Sequence, residues 1–149
     1  MHPPRVDVPS LVMVVVFTVN IAVAYYDPYR FPVPREVGGV VFVAGLLLSV
    51  YVIAYLRKGF LGDTEPILDN LVTDGPYRFC RHPLYLSFFV LLFGIDLMFG
   101  SPVGAAFTVI LSVPSAVYRA RAEDDLLRKR FGREWEEYAD RVGFMIPRF

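Results

Sequence analysis

This 149-residue chain holds one cysteine, Cys80, and two histidines. An internal disulfide framework is excluded, and a zinc site lacks the ligands it needs. The formal net charge is zero, with 15 basic and 15 acidic residues, so nothing in the composition argues for a nucleic-acid partner. The start of the chain shows neither a myristoylation pattern nor an Arg-rich transit sequence, and "IPRF" is not a prenylation box. The first apolar block is too long for a signal h-region and no small-residue cleavage site follows it, which predicts a retained span.

Charge is absent in a more informative way from four long stretches. The chain is 55% hydrophobic and 15% aromatic, and most of that material lies in blocks near the length of about 17 to 25 residues that crosses a hydrocarbon core. These blocks predict an all-α integral membrane bundle of four transmembrane helices, at about 8–26, 37–56, 83–99 and 103–118, in a single domain over 1–149. "DPYRFPVPRE", with three prolines in ten residues, separates the first two, and Arg57-Lys58 stops the second. "GSP" returns the chain between the third and fourth, which form a hairpin.

Four spans put the N-terminus, the loop 57–82 and the tail 119–149 on one side. That side carries Arg5, Arg57, Lys58, Arg78, Arg81 and eight basic residues from Arg119 to Arg148; the other side has Arg30 and Arg35. The positive-inside rule places both termini in the cytoplasm. In the tail, Leu127, Phe131, Trp135, Tyr138 and Val142 recur at steps of 4, 4, 3 and 4, one stripe of an amphipathic helix lying on the membrane or against the bundle. Gly132 is placed to break that helix. Asp96, inside a span, is a functional candidate by default, but three residues from the block's end it is expected to reach interfacial water. Pro114 predicts a kink in the fourth helix, and Gly38, Gly39 and Gly45 predict close helix packing.

The topology brings "TDGPYRFCRHPLYLSFF" (73–89) to the same face as the start of the tail. His82 and Tyr85 open the third helix there, and Arg119 and Glu123, four apart, share a face where the fourth leaves the membrane. Such a set at a lipid–water border suits a polar cofactor meeting a lipophilic substrate. Plainer readings stand beside this one. Arg78 and Arg81 serve as topology anchors, Tyr77 and Tyr85 as interfacial residues, His82-Pro83 as a helix start and Arg119–Glu123 as an exposed pair. Cys80 has no orienting third group in view for a thiol nucleophile.

"GPYRFCRHPLYL" resembles the G-x-Y-x-x-x-R-H-P-x-Y signature of integral-membrane methyltransferases, and "EDDLLRKRFGREWEEYADRV" resembles their second, E-E-x-x-L-x-x-x-F-G-x-x-Y-x-x-Y. The group includes isoprenylcysteine carboxyl methyltransferases and phospholipid N-methyltransferases, and the resemblance covers about the last 80 residues. Asp124 stands for the second Glu, Trp135 for a more usual Tyr, Ser87 lies near a usual Gly, and Asp69 or Asn70 stands where some relatives have a histidine. The resemblance implies S-adenosylmethionine contacts from Leu71, Val72, Tyr77, His82, Pro83, Leu84, Tyr85 and Glu123, and a substrate-side role for Arg119, so that Arg119 and Glu123 are the catalytic candidates. It implies a lipophilic or lipidated substrate drawn from membrane lipid, with no metal and no nucleic acid, and a site on the cytoplasmic side.

Physical chemistry is consistent with that expectation. A sulfonium is already electrophilic, so methyl transfer chiefly needs positioning. The cofactor's carboxylate wants a donor such as His82 or nearby backbone, its ammonium wants Glu123, and its adenine wants apolar surface from Leu71, Val72 and Tyr77. A prenylcysteine carboxylate is already ionised at pH 7 and needs only orienting by Arg119, whereas an amine or thiol must first lose a proton. Carboxyl methylation is therefore favoured over phospholipid-amine or small-thiol methylation. A sterol-type NADPH reductase, with a similar R-H-P-x-Y, and a non-catalytic membrane scaffold are the readings from other classes.

Overall fold

A computed structural model of the chain describes residues 8–62 and 70–148, and the side chains within them except those of 57–62. Arg5, Asp69 and the rest of 63–69 lie outside the described residues, as do the side chains of Arg57 and Lys58.

Helix α1, Val8–Tyr26, has the bounds that its charge-free run predicts. Helix α2 spans Arg35–Gly62 and so does not stop at Arg57-Lys58. Basic residues end a membrane span because their charge stays in water, but they are good helix formers and the backbone winds on. Helix α3, Pro83–Phe99, starts on a proline whose missing N–H is no loss in a first turn. It stops at Gly100, whose left-handed φ of 61° only glycine adopts freely.

The fourth apolar block is the first half of one longer helix, α4, Pro102–Phe131. The helix does not end at 118: the first part of the tail continues it without a break. Just ahead of Pro114 the helix departs from regular α geometry. Thr108–Ser112 form a π turn, in which Val113 N–H donates to Thr108 O, five residues back. Gly132, φ 53°, ends α4, and a short helix α5, Arg133–Arg141, follows.

Among the described residues three helical stretches, Val8–Tyr26, Arg35–Leu56 and Pro102–Phe131, are long and apolar enough to cross a membrane; Pro83–Phe99 is apolar but shorter. Their packing rests on small residues. A Cβ on Gly38 would collide with the α3 backbone at Met98, one on Gly45 with Leu91, and one on Gly94 with the α2 backbone at Phe42. Gly39 meets nothing within 4 Å and is no packing position.

Asp96 departs from expectation. It is fully buried, not at interfacial water. Its Oδ2 accepts from Thr108 Oγ1 at 2.5 Å, and Asn20 Nδ2 donates to Thr108 Oγ1 at 2.8 Å, joining α1, α3 and α4. Room for the carboxylate comes from Gly104, where a Cβ would lie 2.6 Å from Asp96 Oδ1. At the same end, Asp27 Oδ2 accepts from Ser101 Oγ at 2.6 Å and from the Val103 N–H at 3.0 Å, capping α4 from the end of α1.

The last residues run back along the start of α3. Arg81 N–H donates to Gly143 O at 2.8 Å, His82 N–H to Phe144 O at 3.1 Å, and Arg148 N–H to Phe79 O at 3.1 Å. This strap and α5 hold the stripe expected for the tail against the bundle. Trp135, Tyr138 and Val142 are buried, Leu127 and Phe131 half-buried, and Val142 lies just past the helix in extended backbone.

Candidate functional site

The site begins with a turn. Gly75 takes a φ of 56°, and a side chain there would strike the ring of Tyr55 on α2, so glycine is required twice over. The turn opens a 3-10 segment, Gly75–Arg78, that delivers Tyr77. Tyr138 Oη donates to Tyr77 O at 2.7 Å, tying the segment to α5. Burial pushes the Tyr77 phenol well above its ordinary pKa, with a further rise from the charge of Glu123.

His82 caps α3 and is 3% exposed. Its Nε2 donates to Asp124 Oδ1 at 2.9 Å, and the edge of Phe144 closes over the ring at 5.0 Å. Arg81 binds the other oxygen of the same carboxylate, Nη2 to Oδ2 at 3.5 Å. Its guanidinium lies over Trp135 at 5.5 Å and Phe144 at 5.4 Å, and Nη1 donates to Ala139 O at 3.1 Å. Arg81 is thus built into the fold and is not a plain anchor, while Arg78 is exposed, as an anchor would be. One turn into α3, Tyr85 Oη donates to Glu123 Oε2 at 3.0 Å, and Arg119 Nη1 approaches the same oxygen at 3.8 Å. Arg119 Nε donates to Ser10 Oγ on α1 at 2.6 Å.

A cavity of about 210 Å³ lies between the 70–77 segment, the end of α4 and α5. Its apolar walls include Leu71, Val72, Tyr77, Leu127 and Phe131; its charged groups are Glu123, Asp124, Arg81 and Arg130. Four of the residues expected to touch a cofactor, Leu71, Val72, Tyr77 and Glu123, therefore meet around one space. His82, Pro83, Leu84 and Tyr85 do not line it: Pro83 is buried, Leu84 half-buried, His82 faces Asp124, and Tyr85 reaches the site through Glu123. The donor set suits a molecule with an aromatic base, an ammonium and a carboxylate. Apolar walls suit the first and Glu123 the second, and Arg81 and Arg130 are the cations that line the cavity.

Asp124 is the residue that sequence reading passed over, as a mere departure within a motif. Its place beside Glu123 in an acidic pair was the available signal. Cys80 is 2% exposed beneath the strap, and burial raises its thiol pKa, which leaves it inert as a nucleophile.

The family model described as phospholipid methyltransferase matches residues 33–134. Three named proteins are similar over shorter stretches. The nickel-cobalt-cadmium resistance protein NccN of Alcaligenes xylosoxydans xylosoxydans is 41% identical over 82 residues, covering 53% of this chain and 37% of that protein. A probable protein-S-isoprenylcysteine O-methyltransferase of Oryza sativa subsp. indica is 40% identical over 79 residues, covering 52% and 41%. The protein-S-isoprenylcysteine O-methyltransferase of Saccharomyces cerevisiae is 34% identical over 77 residues, covering 52% and 32%. The matched stretch spans about two-fifths or less of each of these relatives. Among solved structures, the eukaryotic intramembrane Ras methyltransferase ICMT aligns with a TM-score of 0.59 at 23% identity, covering 99% of this chain and 53% of that one, a likeness of fold. The chain belongs to the phospholipid methyltransferase family and is an integral membrane protein.

Proposed function

We propose that the protein is an S-adenosylmethionine-dependent methyltransferase acting on a lipophilic acceptor at the cytoplasmic membrane surface, with both termini on that side. The acceptor that fits best is the carboxylate of an isoprenylcysteine. The observation that carries this reading is the meeting of Leu71, Val72, Tyr77 and Glu123 around one cavity, with Arg119 beside Glu123 on the adjoining helix turn. Relatives named protein-S-isoprenylcysteine O-methyltransferase support the choice of acceptor, and family membership favours methyl transfer over the reductase alternative.

The cofactor, when bound, supplies a methyl group already activated by its sulfonium: a carboxylate oxygen takes the methyl as the sulfur–carbon bond breaks, giving a methyl ester and a neutral thioether with no proton to move. The chain's task is then to bind and orient. Glu123 holds an ammonium without having to act as a base, Arg119 orients the acceptor carboxylate, and Tyr85 fixes Glu123 through its hydroxyl. A phospholipid amine is the second reading, favoured by the description of the matching family. It asks Glu123 to accept a proton and to hold the ammonium at once.

Calorimetry of the purified protein with S-adenosylhomocysteine tests the cofactor. Methyl-labelled S-adenosylmethionine, offered with N-acetyl-S-farnesylcysteine or phosphatidylethanolamine vesicles, tests the acceptor. Saturable binding that Glu123→Ala weakens, and label in the farnesylcysteine ester, are expected. No saturable binding in the wild type refutes the reading, and label in phosphatidylethanolamine alone replaces the acceptor.

A further inference from the structure

Ser10 stands in the first turns of α1, outside the stretch 33–134 that the family model matches, yet it bonds the residue proposed to meet the acceptor. We infer that Ser10 is a positioning residue for the methyl acceptor, acting through Arg119 to give the site its preference for an anion.

The argument starts from the chemistry of arginine. A guanidinium reads a carboxylate well when its plane is fixed, because two parallel N–H bonds then form without ordering a long side chain first. Two contacts of Arg119 bear on that plane. Its Nε donates to Ser10 Oγ at 2.6 Å, and its Nη1 faces Glu123 Oε2 at 3.8 Å. The Ser10 bond occupies the Nε edge of the guanidinium and so sets which way the plane faces. A bond to α1 also ties the orientation of the guanidinium to a helix that crosses the bilayer.

The same face of α1 continues downward as apolar surface. Met13 and Phe17, three and seven residues beyond Ser10, pack against the cluster of Tyr85, Ala116, Ala120 and Met145. Phe17 meets Phe88 of α3 edge-on at 6.2 Å. One helix face therefore presents a hydroxyl to the arginine and, below it, packs Met13 and Phe17 into the bundle, which fixes where that hydroxyl stands. A headgroup that is cationic at the reacting end gains nothing from Arg119.

The inference rests on the proposed function, and the experiment separates the two. Ser10→Ala and Ser10→Thr are made in the full chain and assayed with N-acetyl-S-farnesylcysteine, with S-adenosylhomocysteine affinity and thermal unfolding measured in parallel. In Ser10→Ala the acceptor KM rises roughly ten- to a hundredfold, the range for one hydrogen bond to a charged group. Cofactor affinity and unfolding temperature stay at wild-type values, and Ser10→Thr, which keeps the hydroxyl, restores the KM. In an Arg119→Lys background, which lacks Nε–H, Ser10→Ala has no further effect. An unchanged acceptor KM in Ser10→Ala overturns the inference alone, as does a loss of cofactor affinity and stability in step with it. A wild type that binds no S-adenosylhomocysteine, or transfers no methyl to the probe, overturns the proposed function and the inference together.

Discussion

His82 and Asp124, 42 residues apart in sequence, meet at 2.9 Å and close the start of α3 onto the end of α4. Asp124 is 8% exposed and shares its carboxylate with Arg81, so one acid serves two neighbouring residues of the same motif. Asp124→Ala leaves a buried imidazole without its acceptor and Arg81 without its ion pair, and is expected to cost about 1–3 kcal/mol. Thermal unfolding in detergent checks this. Asp124→Glu, the acid of the family signature, recovers most of the loss, whereas an alanine variant as stable as the wild type contradicts the assignment.

The α2–α3 contact separates the glycines. Gly45→Ala and Gly94→Ala push a methyl into the backbone of the facing helix at Leu91 and Phe42, so each loses about 1–3 kcal/mol. Gly39→Ala, with open space around it, is neutral or gains up to about 1 kcal/mol from helix propensity. Unfolding of the three variants in mixed micelles ranks them, and equal losses at Gly39 and Gly94 would contradict the packing described.

Asp96 belongs to the opposite end of α3 from His82, about 21 Å along the helix at 1.5 Å per residue. Asp96→Leu removes the partner of Thr108 and costs roughly 0.6–1.7 kcal/mol, the range for polar contacts between membrane helices. Asp96→Asn keeps an acceptor for the Thr108 hydroxyl and costs less. Methyl-transfer kinetics are unchanged in Asp96→Asn, and a lost turnover with stability intact would place Asp96 in the chemistry after all.

Cys80 gives a chemical readout of the strap. Its burial and raised thiol pKa predict slow alkylation by iodoacetamide at neutral pH. Gly143 pairs with Cys80 in a short parallel bridge, and a Cβ there would strike Ile146 O. Gly143→Val should therefore loosen the strap and speed labelling. Equal rates in the two proteins would mean that the strap does not shield the thiol.

Composition and run length made α1 and α3 legible to the residue, because a charge-free stretch between proline, glycine and charged neighbours has only one helical reading. The end of α2 was not legible, since Arg57-Lys58 carries information about water and none about backbone. Asp96 was misread because its burial depends on Asn20 and Thr108, 76 and 12 residues away, and on the missing side chain of Gly104. Within the site, motif spacing located Tyr77, Tyr85 and Glu123. The clasp of Asp124, the cation–π stack of Arg81 and the Ser10–Arg119 bond are long-range contacts with no periodicity to announce them. The strap 143–148 likewise pairs through backbone atoms that every residue possesses.

The π turn at Thr108–Ser112 acts as a phase setting. Each residue of an α-helix advances the side chains by about 100°, so one extra residue in a single turn rotates everything beyond it by that angle relative to everything before. The lower part of α4, with Thr108, is locked to α1 and α3 by hydrogen bonds, and the upper part carries Arg119, Glu123 and Asp124. Deleting one residue between 108 and 112 would leave a smoother helix, still long enough to span. It would also swing the upper half away from Tyr85 and His82, like a key cut correctly and turned to the wrong notch.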